Sequence, residues 1–142
     1  MFCKMPMQKP NSKEKFRDSV KVKKSKAGLG LFATKKIPKN SFIIEYFGQI
    51  LSNKERDEKG GRYLFETSAN RTIDGSCREN TARYVNHSCK PNCEIEIIRG
   101  RVYIVSKRTI LPGEEITYDY GEEYFDEFIK PNGCKCESCL KD

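Results

Sequence analysis

The chain of 142 residues contains no tryptophan and one histidine, and nowhere does it approach a run of 18 apolar residues. A membrane-spanning helix is therefore not expected. Its first residues lack an apolar stretch followed by a small-residue cleavage site, so a secretory signal is not expected either. No G-x-S-x-G turn is present, and no cysteine pairs with His87 and an obvious third member, which leaves hydrolysis by a nucleophilic triad without support. No alternation of strands with amphipathic helices appears, and this counts against a dinucleotide-type α/β fold.

The charge that is present is unevenly spread. Residues 1–40 hold 12 Lys/Arg against 2 Asp/Glu, whereas residues 41–142 hold 15 against 18. Glu114 to Glu127 contains seven acids and no Lys or Arg. The basic front could touch nucleic acid or an acidic partner, or could be a solvated tail. The acidic stretch suits a basic substrate, and a plain solvated face accounts for it as well. Seven cysteines, an odd number without a secretion signal, argue for a reducing intracellular compartment and against a disulfide framework.

Short strands and many turns dominate. Val20 to Lys23 alternates apolar and basic residues, and Gly28-Leu29-Gly30 breaks the pattern. Phe42 to Phe47 reads as a buried strand, and Ser52-Asn53-Lys54-Glu55 has the form of a capping box that opens a short helix ending at Gly60-Gly61. Arg62 to Glu66 and Arg71 to Asp74 are strand candidates, and Asn80 to Val85 suits a single helical turn. A hairpin is expected around Arg99-Gly100, a strand over Ile116 to Tyr120, and a helix over Glu122 to Ile129. Leu111-Pro112-Gly113 and the strand after it echo Ile37-Pro38 and its strand.

Two segments carry chemistry. Cys134-Lys135-Cys136-Glu137-Ser138-Cys139 puts three thiols within six residues, which zinc gathers most economically. A closed tetrahedral shell needs a fourth ligand, for which Cys89, Cys93 and, less readily, His87 are available. Asn80 to Asn92 packs hydrogen-bonding side chains, Tyr84 and His87 onto a loop that contains Pro91.

Asn86-His87-Ser88-Cys89-Lys90-Pro91-Asn92 resembles the signature of SET-domain lysine methyltransferases. Other motifs of that family occur in order: Gly28-Leu29-Gly30-Leu31-Phe32-Ala33, Glu45-Tyr46-Phe47-Gly48, Tyr63-Leu64-Phe65, Asp74, and Gly113 through Gly121. The resemblance covers about residues 18–140. It implies a mostly β fold of small curved sheets with a knot-like threading, few short helices and a C-terminal zinc segment. The implied layout is a basic, flexible tail over 1–17, a SET domain over 18–125 and a post-SET-like segment over 126–142. The threading would bring Asn86-His87 beside Tyr118-Asp119-Tyr120.

By the same resemblance, S-adenosylmethionine would be held by Ala27, Gly28, Leu29, Gly30, Tyr63, Arg83, Asn86 and His87, the last mainly through its backbone. Tyr120 matches the catalytic tyrosine, and Tyr46 would line the lysine channel. Tyr118 stands where the family has Phe or Tyr, and its hydroxyl implies mainly monomethylation. Cys89, Cys134, Cys136 and Cys139 would hold one structural zinc ion, with two residues rather than the usual four between the last two cysteines. The substrate would be a basic, histone-like protein, in the nucleus of a eukaryote or otherwise in cytoplasm or a host cell. The rival expectation is a basic zinc-containing module that binds chromatin or nucleic acid without catalysis.

Overall fold

A computed structural model describes residues 13–121, 129–136 and 139. Ten strands form three small sheets. The first has the order β1-β2-β10-β7, built from Val20–Ser25, Gly28–Ala33, Glu115–Tyr118 and Asn86–His87. The second has the order β3-β9-β8, built from Phe42–Tyr46, Arg101–Ser106 and Cys93–Ile98. The third has the order β4-β6-β5, built from Gln49–Leu51, Arg71–Asp74 and Leu64–Ser68. One α-helix, α1 (Asn53–Lys59), and short 3-10 turns at Arg17–Ser19, Thr81–Tyr84 and Lys130–Asn132 complete the described elements. No described helix is long and apolar enough to cross a membrane.

The mostly β expectation holds, and local chemistry explains several boundaries. Ser52 accepts from the Glu55 N–H while the Glu55 carboxylate accepts from the Ser52 N–H, so the capping box forms and α1 begins there. Gly60, at φ 58°, ends it. The β8–β9 hairpin turns through Arg99 and Gly100, both at positive φ (52° and 77°), as a tight two-residue connection requires. Gly28-Leu29-Gly30 is corrected: the glycines interrupt β1 and then continue as β2, which pairs back along the whole of β1. The helix expected over Glu122 to Ile129 falls largely outside the described residues.

The core lies between the sheets. Leu31, Ile37, Ile43, Val102, Ile104, Ile110 and Ile116 are fully buried. Each such side chain removed from water contributes about 1.5–3 kcal/mol. Ile37 and Ile110 exchange backbone hydrogen bonds at 2.8 Å in both directions, so the two echoing turns of the sequence meet face to face. Arg101 grips the buried Glu45 carboxylate with two bonds of 2.8 Å, tying β9 to β3. Glu14, also buried, accepts from the Glu45 N–H and from Arg17, so the chain from Glu14 onward is docked on β3.

The pairing that matters most for the site is parallel and only two residues long. β7 runs beside β10, with Asn86 opposite Thr117 and His87 opposite Tyr118. Two motifs some thirty residues apart in sequence thereby become neighbours, as the resemblance implied.

Candidate functional site

The β7–β10 pair forms a wall with a cavity on each side, because successive side chains of a strand point to opposite faces. Tyr118 lines one cavity and Thr117 the other.

The first cavity, of about 700 Å³, is lined by Tyr46, Tyr63, Arg83, Val85, Tyr118 and Tyr120 among others. Tyr46 is buried, with its ring against the backbone of Gly75, where a Cβ would collide with it. Its hydroxyl donates to the Tyr63 carbonyl at 2.7 Å. The Tyr118 and Tyr120 rings lie 4.8 Å apart, and the Tyr120 hydroxyl donates to the Val85 carbonyl. Arg83 extends from the Thr81–Tyr84 turn, with its guanidinium 4.7 Å from the centre of the Tyr63 ring and bonded to the Ser76 carbonyl. Its Nε is buried without a hydrogen-bond partner, which is a costly arrangement unless a ligand supplies the acceptor.

The second cavity, of about 1220 Å³, is lined by Ala27, Asn86, His87, Cys89, Cys136 and Cys139 among others. Asn86 Nδ2 donates toward the Leu29 carbonyl (2.9 Å), Glu115 (2.8 Å) and Ser25 Oγ (3.1 Å), joining β7 to the β1–β2 hairpin. A Cβ at Gly30 would strike the Glu115 carboxylate and come within 3.1 Å of Asn86 Nδ2, so glycine permits this approach of backbone and side chains. The residues expected to hold the cofactor are therefore divided. Tyr63 and Arg83 face the first cavity, Ala27, Asn86 and His87 face the second, and Leu29 and Gly30 adjoin Asn86.

Ser25 and Glu115 were not anticipated. Ser25 accepts from the Ala27 N–H at 3.1 Å, an ST-turn for which Ser25-Lys26-Ala27-Gly28 is a sequence signal. The grip of Glu115 on Asn86 arises only when distant strands meet and has no local signal.

The His87 ring has a larger structural part than its expected backbone contact. Its side chain is 6% exposed, and Nδ1 accepts the Tyr120 N–H at 3.1 Å. That assigns the ring proton of the neutral imidazole to Nε2, which faces Cys89 Sγ at 3.4 Å. Burial keeps His87 below its ordinary pKa, against the opposing pull of Asp119 and Cys136.

The four sulfurs of Cys89, Cys134, Cys136 and Cys139 lie within 4.8 Å of one another, a set able to hold a metal ion. Cys89 Sγ is 3.9 Å from Cys134 and 3.6 Å from Cys139. A zinc tetrathiolate with Zn–S of about 2.3 Å has sulfur–sulfur edges of about 3.8 Å. Burial and then the adjoining thiols push the Cys89 thiol far above its usual range, so a cation is the natural means of ionising the set. Cys93 is not in this group. It is buried in β8, where burial raises its thiol to about 12. Cys77 is disulfide-bonded, so the reading against disulfides does not extend to it.

The SET domain family matches residues 28–121, which include the lining of the first cavity and the whole β7–β10 pair. The chain belongs to the SET-domain family. It is 38% identical over 143 residues to the histone-lysine N-methyltransferase trr of Drosophila melanogaster, covering 91% of this chain and 6% of that protein. It is 39% identical over 127 residues to human histone-lysine N-methyltransferase 2D, covering 80% of this chain and 2% of the relative. A third relative, the H3 lysine-4 specific enzyme of Schizosaccharomyces pombe, is 40% identical over 105 residues, with coverage of 65% and 11%. This SET domain thus corresponds to a small part of each of these relatives.

Proposed function

We propose that this SET domain transfers a methyl group from S-adenosylmethionine to the ε-amine of a lysine in a basic, histone-like protein. The observation that carries the proposal is the β7–β10 wall, with a tyrosine-lined cavity on one face and the Asn86–glycine junction on the other. The names of the relatives, all histone-lysine methyltransferases, support the same reaction. The residues fit the cofactor on two counts: Arg83 Nε wants an acceptor, and Gly28, exposed with open space where a Cβ would stand, adjoins the Leu29 carbonyl held by Asn86. When bound, S-adenosylmethionine supplies the methyl group on a positively charged sulfonium.

Tyr46, Tyr118 and Tyr120 then have three tasks. Their rings enclose the aliphatic stem of the substrate lysine and exclude water. That desolvation lowers the pKa of the lysine and favours its neutral, nucleophilic form. Their hydroxyls orient the nitrogen for in-line attack, where a small misalignment costs much of the rate. Tyr46 and Tyr118 are each less than 10% exposed, which suits this role. The Tyr118 hydroxyl narrows the space for an amine that already carries a methyl group, so the main product is monomethyl-lysine.

Cys89, Cys134, Cys136 and Cys139 would hold one structural zinc ion. Residues 126–142 act as the zinc segment, 18–125 as the catalytic domain, and the acids around Glu114 draw in a Lys/Arg-rich peptide. Kinship with histone-modifying enzymes supports work at chromatin in a nucleus. Mass spectrometry of histones incubated with the protein and cofactor tests the reading. Monomethyl-lysine is expected from the natural sequence and more dimethyl-lysine from Tyr118→Phe, whereas predominant trimethylation by the natural sequence overturns the assignment of Tyr118.

A further inference from the structure

The β1–β2 hairpin carries a row of charge of which Lys24 and Lys26 border the second cavity and the rest serves neither a cavity nor the core. Between Ser19 and Phe42 the sequence has seven lysines and no Asp or Glu. Six of them, Lys21, Lys23, Lys24, Lys26, Lys35 and Lys36, lie along the hairpin and its base, and all six are exposed. None forms an ion pair among the described residues, whereas Arg17, Arg56, Lys59, Arg101 and Arg108 all do.

Topology gathers these lysines along one hairpin. β1 is the outermost strand of its sheet. Val20 and Val22 pack on the core, so Lys21 and Lys23 point away from it. Lys26 stands at the hairpin tip. Lys35 and Lys36 follow Ala33, whose partner is Val20, and the Thr34 N–H donates to the Ser19 carbonyl at 2.8 Å, which brings them to the base of the same strand. Five residue steps from Lys26 to Lys21 span roughly 17 Å.

We propose that this lysine row docks the phosphate backbone of duplex DNA. A duplex presents its phosphates at regular spacing, so a lysine-rich edge roughly 17 Å long can reach several of them. Single-stranded nucleic acid is a poorer fit, because its binding depends on aromatic stacking platforms. The aromatic side chain of this hairpin, Phe32, is covered by Lys23, whose Nζ lies 5.2 Å from the ring centre. Lysines on an edge strand also deter strand-to-strand association, yet that purpose does not require them at the tip and beyond the base. The proposal stands on charge and topology and does not depend on the methyl-transfer reading.

The test is fluorescence anisotropy of the full chain with a labelled duplex of about 20 base pairs at several salt concentrations. Lys21→Gln/Lys23→Gln is compared with Lys54→Gln/Arg78→Gln, which removes the same charge elsewhere, and with the charge-retaining Lys21→Arg/Lys23→Arg. Thermal melting checks that each variant is folded. For the natural sequence the log–log salt slope should be steeply negative. Lys21→Gln/Lys23→Gln should weaken binding about tenfold and flatten the slope by about 2, while the other two variants stay near the natural values. Equal weakening by Lys54→Gln/Arg78→Gln would mean diffuse attraction and overturn the proposal. So would tighter binding of single-stranded DNA or RNA than of the duplex, or no duplex binding near 0.1 M salt.

Discussion

The β3-β9-β8 sheet and the C-terminal cysteine segment are held by opposite means. In the sheet, Ile43, Val102 and Ile104 are fully buried, Ile44 nearly so, and antiparallel ladders join the three strands, with one register shift between Phe42 and Ile44. In the cysteine segment, Lys130, Pro131, Gly133 and Lys135 are exposed and Cys136 is buried; the sulfur contacts of Cys134 and Cys139 with Cys89 tie the segment to the β7 loop. The first region is stabilised by removing apolar surface from water, the second by the chemistry of four thiols. The difference teaches that a site can rest on two supports that fail under different conditions.

Three experiments would break or sharpen that contrast. The largest effect is expected at Ile104, fully buried in the middle strand. Ile104→Ala should cost about 2–5 kcal/mol, measured by chemical denaturation, and should do so equally with and without a chelator. Next, stripping metal or making Cys136→Ser should leave the melting of the core nearly unchanged. It should weaken S-adenosylmethionine binding about tenfold, because Cys89 sits two residues from His87 and against its ring. Calorimetry of cofactor binding checks this, and full binding after complete metal removal would separate the two regions altogether.

The smallest effect concerns Asp74, buried at the end of β6. Burial would raise its pKa, but Lys59 and the Ser76 hydrogen bonds outweigh burial and hold it below the ordinary carboxylate value. A depressed folded pKa means that the stabilisation is present above the unfolded value, about 3.9, and is lost as pH falls through the lower folded value. Asp74→Asn should therefore lower stability modestly at neutral pH and flatten the stability profile below about pH 4. Melting curves across that range would detect it.

Legibility from sequence followed the same division between local and distant causes. The capping box at Ser52, the Arg99-Gly100 hairpin and the buried strand from Phe42 are set by residues within a few positions of one another, and they formed as read. The cysteine cluster was legible for a similar reason, since three of its members are adjacent. Spacing alone left Cys89 and Cys93 open and the family resemblance favoured Cys89; strand β8 carries Cys93 into the core. Strand β2 was read as a break, since its two glycines have low strand propensity and gain their place only by pairing with β1. β7 is two residues long and exists because β10 lies beside it. The task of the His87 ring, joining the Tyr120 backbone to Cys89, likewise follows from tertiary packing that no local pattern encodes.

The central claim is lysine methylation at the tyrosine cavity. Its most direct test is to incubate the purified chain with methyl-labelled S-adenosylmethionine and core histones, with Tyr120→Phe in parallel. Label should enter histone lysines with the natural sequence and fall about a hundredfold with Tyr120→Phe, whose ring still packs but can no longer orient the amine. Labelling that is unchanged by Tyr120→Phe, or label on residues other than lysine, would contradict the account.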